Sequence, residues 1–151
     1  MTIKNVGEIL ATVRYVNVST VDEKGQPWSA PVWYVFDQEL NIYWWSSVHS
    51  QHSKNISQNS AVYLTIFDST LPEGDGLGVY MRAKADEVPM RDLEKAMRLF
   101  NASTAAFKLD HLNCTAAAPT RMYKATPEQI WMNDGETKNG FYQDFRTEIA
   151  L

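Results

Sequence analysis

Hydrophobic and polar positions alternate along most of this chain, with helical spacing in only three places. The first dozen residues put Ile3, Val6, Ile9, Leu10 and Val13 near a helical stripe, with Thr2 a candidate cap. From Arg14 to Val21 the period drops to two: Val16, Val18 and Thr20 fall on one face, Tyr15, Asn17, Ser19 and Val21 on the other. Asp22-Glu23-Lys24-Gly25 then supplies turn chemistry. A second run follows from Trp28 to Phe36 and a third from Leu40 to Trp45, joined by the short polar Asp37-Gln38-Glu39, so the three strands form an antiparallel meander.

Ser50 to Asn59 has the polar start and single apolar Ile56 of a short helix, and Ala61 to Phe67 is an apolar strand. A loop with Pro72, Gly74 and Gly76 leads to a long alternating run from Leu77 to Val88, with Val79, Met81, Ala83 and Ala85 opposite Tyr80, Arg82, Lys84 and Asp86. After Pro89, the positions of Asp92, Leu93, Ala96, Met97, Leu99 and Phe100 give the clearest amphipathic helix in the chain. Thr115 to Pro119 reads as a linker. Arg121 to Thr126 and Gln129 to Asn133 read as two strands broken at Pro127, followed by a loop from Gly135 to Gly140 and a tail without clear pattern. Strands in such short succession must pair antiparallel, because parallel neighbours need long crossovers. The expected fold is mainly β: a six- to seven-stranded antiparallel barrel with inserted helices.

Composition narrows the picture. A chain of 151 residues suits a single domain over 1–151, and its 44% hydrophobic and 12% aromatic content predicts a globular core rich in rings. A net charge of −4 without a block of lysine or arginine argues against nucleic acid as partner. No run approaches the roughly 20 apolar residues of a membrane-spanning helix. The lone Cys114 and an N-terminus without a cationic lead and apolar run make a reducing cytoplasm the expected location.

The densest chemistry lies in WWSSVHSQHSKN, residues 44–55. A metal site, an anion cradle and a capped turn all fit its residue types. His49 and His52 stand three apart, but zinc or iron needs three or four ligands, and neither His111 nor Cys114 lies at a spacing that would complete the set. The expectation is no metal. Ser46, Ser47, Ser50, Ser53 and Lys54 bring hydroxyls and a cation to the start of a helix, the donor set that a phosphate dianion requires, although serines there also serve as caps. No nucleophile elbow and no G-x-G-x-x-G loop is present.

The order of these pieces resembles the pyridoxamine 5′-phosphate oxidase-like family of FMN-binding split barrels. The resemblance runs through VNVSTVDEKGQPWSAPVWYVFD (16–37), LNIYWWSSVHSQHSKNISQN (40–59), GLGVYMRAKADEV (76–88) and YKATPEQIWMND (123–134). It implies a split barrel that binds FMN at a homodimer interface and an oxidoreductase exchanging electrons with an unidentified small-molecule donor or acceptor. It places the flavin phosphate after the third strand: Lys54 as cation, Ser46, Ser47, Ser50, His52 and Ser53 as donors, Trp33, Tyr34 and Val35 as wall or backbone contacts, and Trp131 beside the ring. Three positions depart from the family pattern. Ala30 stands where the oxidases proper carry a phosphate-binding arginine, Ala83 stands where a Gly-x-Ala glycine is usual, and His52-Ser53-Lys54 keeps a lysine without the arginine. The alternative reading is a protein of the same barrel that binds or senses flavin or heme without turnover.

Overall fold

The computed structural model describes residues 2–73, 76–115 and 117–150, except for the side chains of Ile3 and Lys4. Gly74 of the expected loop, and the Ile3 side chain of the expected apolar stripe, therefore lie outside what is described.

Seven strands and three α-helices follow in the order α1 (Ile3–Thr12), β1 (Tyr15–Val21), β2 (Pro27–Phe36), β3 (Ile42–Ser47), α2 (Gln51–Gln58), β4 (Ala61–Phe67), β5 (Gly78–Glu87), α3 (Met90–Asn101), β6 (Thr120–Lys138) and β7 (Phe141–Ile149), with a short 3-10 turn at His111–Asn113. All pairings are antiparallel. The sheet runs β3-β2-β1-β4-β5-β6-β7, and an extra β3–β6 pairing closes six of the strands into a barrel, leaving β7 outside the ring.

The alternation read from the sequence is what fills this barrel. Val16, Val18, Leu64, Ile66, Val79, Met81, Ala85 and Ile130 point inward and are fully or almost fully buried. The tandem tryptophans divide between two cores, because neighbouring residues of a strand face opposite ways. Trp44 lies inside, stacked on Tyr123 at 5.7 Å. Trp45 faces outward with Trp33, against a second core where Val35, Tyr43 and Met122 meet Leu93, Ala96, Met97 and Phe100 of α3. Both faces of β3 and of the second half of β2 are thus covered, which is why these runs look uniformly apolar.

Turn chemistry acts where expected. Asp22 Oδ1 accepts the Lys24 and Gln26 amides, and Gly25 takes φ +77° between β1 and β2. The next turn differs from expectation. Leu40 adopts φ 60° and precedes β3 rather than belonging to it, while Asp37 accepts the amides of Glu39 and Asn41 and its other oxygen accepts the Tyr43 hydroxyl. Burial of the Leu40 side chain, 6% exposed, offsets the cost of its left-handed backbone.

The C-terminal third departs most. Arg121–Thr126 and Gln129–Asn133 are one strand, β6, which continues to Lys138. Pro127 does not end it. The register shifts there, from Arg82↔Gln129 to Ala83↔Pro127, so the strand accommodates the proline in a bulge. The expected loop at 135–140 shrinks to Asn139-Gly140, both at positive φ, as a two-residue hairpin turn requires. The patternless tail becomes β7, which pairs with β6 from Ile130 to Lys138 and buries Ile149.

Candidate functional site

β3 pairs with β2 on one side and β6 on the other, with Ser46 opposite Arg121 and Ser47 opposite Thr120, so its exit is held on both edges. The chain then turns: the Val48 amide donates to the Pro119 carbonyl and the Ser50 amide to the Ser47 carbonyl, and α2 begins at Gln51. Its positions 52, 53, 55 and 56 are buried against the barrel. Asn55 Nδ2 donates to Thr20 Oγ1 of β1 at 2.9 Å, which fixes the helix in rotation.

That rotation turns His52 inward, only 8% exposed. Its Nε2 stands 3.0 Å from Ser46 Oγ and 3.1 Å from Ser50 Oγ, and Ser50 Oγ is 2.8 Å from Ser53 Oγ. Burial lowers the imidazole pKa, which favours the neutral ring. Ser50 occupies the cap position, yet its hydroxyl turns to Ser53 and to the Ser47 carbonyl instead of back onto the first-turn amides. The start of α2 therefore keeps amide donors that its cap residue does not satisfy.

His52 and Ser46 line an open cleft of about 580 Å³. Pro31, Val32 and Trp33 form one wall and Phe100 with residues 104–107 the other. Its rings are fixed in place: Trp33 meets Phe100 edge-on at 5.2 Å, and Trp45 stacks on Phe107 at 5.1 Å while its indole N–H donates to the Asn113 carbonyl. The wall at 102–108 is tied at its base by Asn101, whose side chain bonds both the amide and the carbonyl of Leu109, and by Lys108 Nζ on the carbonyls of Asn101 and Ser103. A second cleft, of about 340 Å³, adjoins the first and shares Arg14, Trp33 and Thr104 with it.

The residues expected to form a site separate into groups. Ser46, Ser50, His52 and Ser53 come together, and Trp33 stands on the cleft wall. Ser47 lies beside them, its hydroxyl engaged by the His49 amide. Tyr34 and Val35 line the second cleft, although the Tyr34 hydroxyl is buried as a donor to the Leu10 carbonyl. Lys54 is exposed, about 200° around α2 from His52, so the expected cation lies away from the hydroxyl cluster. Trp131 lines neither cleft and sits on the outer face of β6 against Tyr63 and Arg82. His49 is exposed while His52 is buried, so the two imidazoles diverge.

Among the cleft residues that escaped the sequence are Arg14, Phe100 and Phe107. The helical spacing assigns Phe100 to the core, where it also packs. Arg14 and Phe107 carry no local signal; the β1–β2 register, Tyr15 opposite Trp33, brings the start of β1 to the site.

Comparison with known proteins fits this architecture. The family model for pyridoxamine 5′-phosphate oxidase matches residues 3–134. The chain belongs to the pyridoxamine 5′-phosphate oxidase-like family. No curated protein matches this family member at a significant level. Among solved structures, the heme storage protein of Vibrio cholerae superposes with a TM-score of 0.67 at 21% identity, over 86% of this chain and 94% of that one. A FAD-binding protein of Mesorhizobium loti gives 0.65 at 16% identity, over 87% and 94%. A heme-binding protein of Mycobacterium smegmatis gives 0.64 at 14%, over 91% of this chain and 54% of that longer one. At these identities the shared property is the fold. Among the described residues, no helix of this family member is long and apolar enough to cross a membrane.

Proposed function

We propose that this protein is an FMN-binding oxidoreductase in which the flavin phosphate rests on Ser46, Ser50, His52 and Ser53 at the start of α2, with the ring system in the cleft beside Trp33. The observation that carries this reading is the buried imidazole–hydroxyl cluster facing an aromatic-walled cleft, beside helix amides left uncapped. The donor chemistry fits a phosphate dianion: hydroxyls and amides donate, and the phosphate favours protonated His52 as an additional cation. FMN, when bound, supplies the electron transfer. The chain supplies position, exclusion of water by Phe100 and Phe107, and the charge state of His52.

Trp131 fits a place beside the flavin ring only if a second copy provides it, since within one chain it lines neither cleft. We therefore propose a homodimer with the flavin near the interface. The outward rings Tyr63, Tyr80 and Trp131 support this; Arg146 lies over Tyr80 and Arg82 over Trp131, which keeps them as a firm surface.

The test is spectroscopic. Purified protein titrated with FMN is expected to show perturbed twin flavin bands and to bleach with NADH or NADPH under argon. A Soret band after hemin addition with no response to FMN would replace the flavin reading with heme binding. His52→Ala is expected to weaken FMN affinity about tenfold, or about 1.4 kcal/mol. Lys54→Ala, on the solvent side of α2, tests the sequence-derived cation directly: a larger loss there than at His52 would move the phosphate out of the cleft.

A further inference from the structure

Arg14 sits between α1 and β1, exposed to solvent. It lines both clefts described above and a third groove of about 540 Å³ that runs past Asn17 and Thr65. The side chains of the other five arginines are all engaged. Arg82 contacts Gln129 and Trp131, Arg91 lies beside Asp92, Arg98 bonds Glu94, Arg121 donates to three backbone carbonyls, and Arg146 meets Tyr63 and Tyr80. Arg14 alone among the six has no ion pair, side-chain hydrogen bond or ring contact among the described residues.

The walls around it sharpen the point. Neither the 580 Å³ cleft nor the 340 Å³ cleft contains an aspartate or glutamate. Asp68, in the third groove, already accepts the amide and hydroxyl of Thr70. The two clefts that Arg14 lines are walled by flat or small side chains instead: Trp33, Phe36, Ala102 and Thr104 in the smaller, Trp33, Thr104 and Ala105 in the larger. A guanidinium is a planar fork of donors matched to a carboxylate, and rings such as Trp33 favour a flat apolar body. The smaller cleft lies within the size range of small-ligand sites.

We propose that Arg14 anchors the second substrate, a planar aromatic carboxylate. The acid lies with its ring against Trp33 in the smaller cleft and its carboxylate on the guanidinium, leaving the Ser46–His52 cluster to the flavin phosphate. The assignment of a second substrate rests on the flavin reading of the neighbouring cleft; the anion anchor itself rests on the unpaired guanidinium and its walls.

The experiment uses the full chain loaded with FMN, titrated with 2-naphthoate and separately with neutral 2-naphthamide, followed by tryptophan fluorescence. Wild type is expected to prefer the acid by about tenfold or more, the scale of one charge-assisted contact. Arg14→Gln removes that preference and Arg14→Lys retains part of it, each measured at FMN concentrations that keep the variant loaded. Equal binding of acid and amide to wild type overturns the proposal, as does a preference that survives in Arg14→Gln. A parallel loss of FMN affinity in Arg14→Gln also overturns it, by assigning the guanidinium to the flavin phosphate. If FMN does not bind at all, the flavin reading fails, and the same acid–amide comparison on flavin-free protein decides the anchor separately.

Discussion

His52 shows how one residue's surroundings set its chemistry. Its type and its place in a polar helix start were legible in the sequence; its burial was not, because the rotation of α2 depends on Asn55 reaching Thr20 across 35 positions of chain. The consequence is measurable. Burial depresses the folded-state pKa below 6.5, so between the folded and unfolded pKa values the unfolded chain binds more protons. Stability from this group is fully present above pH 6.5 and is lost as pH falls through the folded pKa. Urea midpoints of flavin-free protein are expected to fall below pH 6.5, and His52→Gln to flatten that part of the profile. With FMN bound, the phosphate opposes the shift, so the drop should move or shrink. Tyr34 gives a second residue-scale prediction. Its buried hydroxyl donates to the Leu10 carbonyl at 2.9 Å, so Tyr34→Phe should cost about 1–2 kcal/mol in chemical denaturation.

At the scale of elements, strands with one buried face were readable and those governed by turns or partners were less so. β1, β4 and β5 kept their expected boundaries within about two residues, since period-two alternation reports directly on a one-sided strand. β6 defeated the reading because a proline usually ends a ladder. Here Pro127 falls beyond the β3 pairing, which ends at Ala125, and before the β7 pairing, which starts at Ile130. One edge of the strand is unpaired at that point, so a missing donor costs little. β7 leaves Phe141, Tyr142 and Phe145 exposed and buries only Ile149, so its sequence lacks the apolar–polar alternation of a strand with one buried face. Its pairing depends on the Asn139-Gly140 turn. Gly140 stands at φ +81° with open space around it, so Gly140→Ala should cost about 1 kcal/mol through the backbone alone. Hydrogen exchange should show the loss concentrated in 134–145. The cleft wall at 102–108 is tied at its base by Asn101 and Lys108. Asn101→Ala removes two 2.7 Å bonds to Leu109, and proteolysis within that segment should accelerate while the barrel stays protected.

For the whole molecule, the barrel class followed from the succession of short antiparallel strands, but its closure did not. The β3–β6 pairing joins residues that lie far apart in the chain, from Ile42 opposite Ala125 to Ser47 opposite Thr120, and no local pattern encodes that contact. The same holds for the clefts. Trp33, His52, Phe100 and Arg14 come from β2, α2, α3 and the start of β1, and only the closed barrel puts them around one space. If a second copy completes the flavin site, light scattering should report a dimer, and Trp131→Ala should alter the spectrum of bound flavin more than the melting temperature.

The closing pair also dictates a timetable during synthesis. A ribosome releases the chain from its N-terminus, and β6 comes after five of the other six strands. At roughly 5–20 residues per second, several seconds separate the appearance of β3 from that of β6, the strand that closes the barrel on it. Through that interval the inner faces of β1 to β5, with Val16, Leu64, Ile66 and Met81, form an unsealed trough whose free β3 edge invites another strand. The nascent protein is therefore most exposed to misassociation just before its last fifth emerges, and synonymous slowing between residues 105 and 125 should lower its soluble yield.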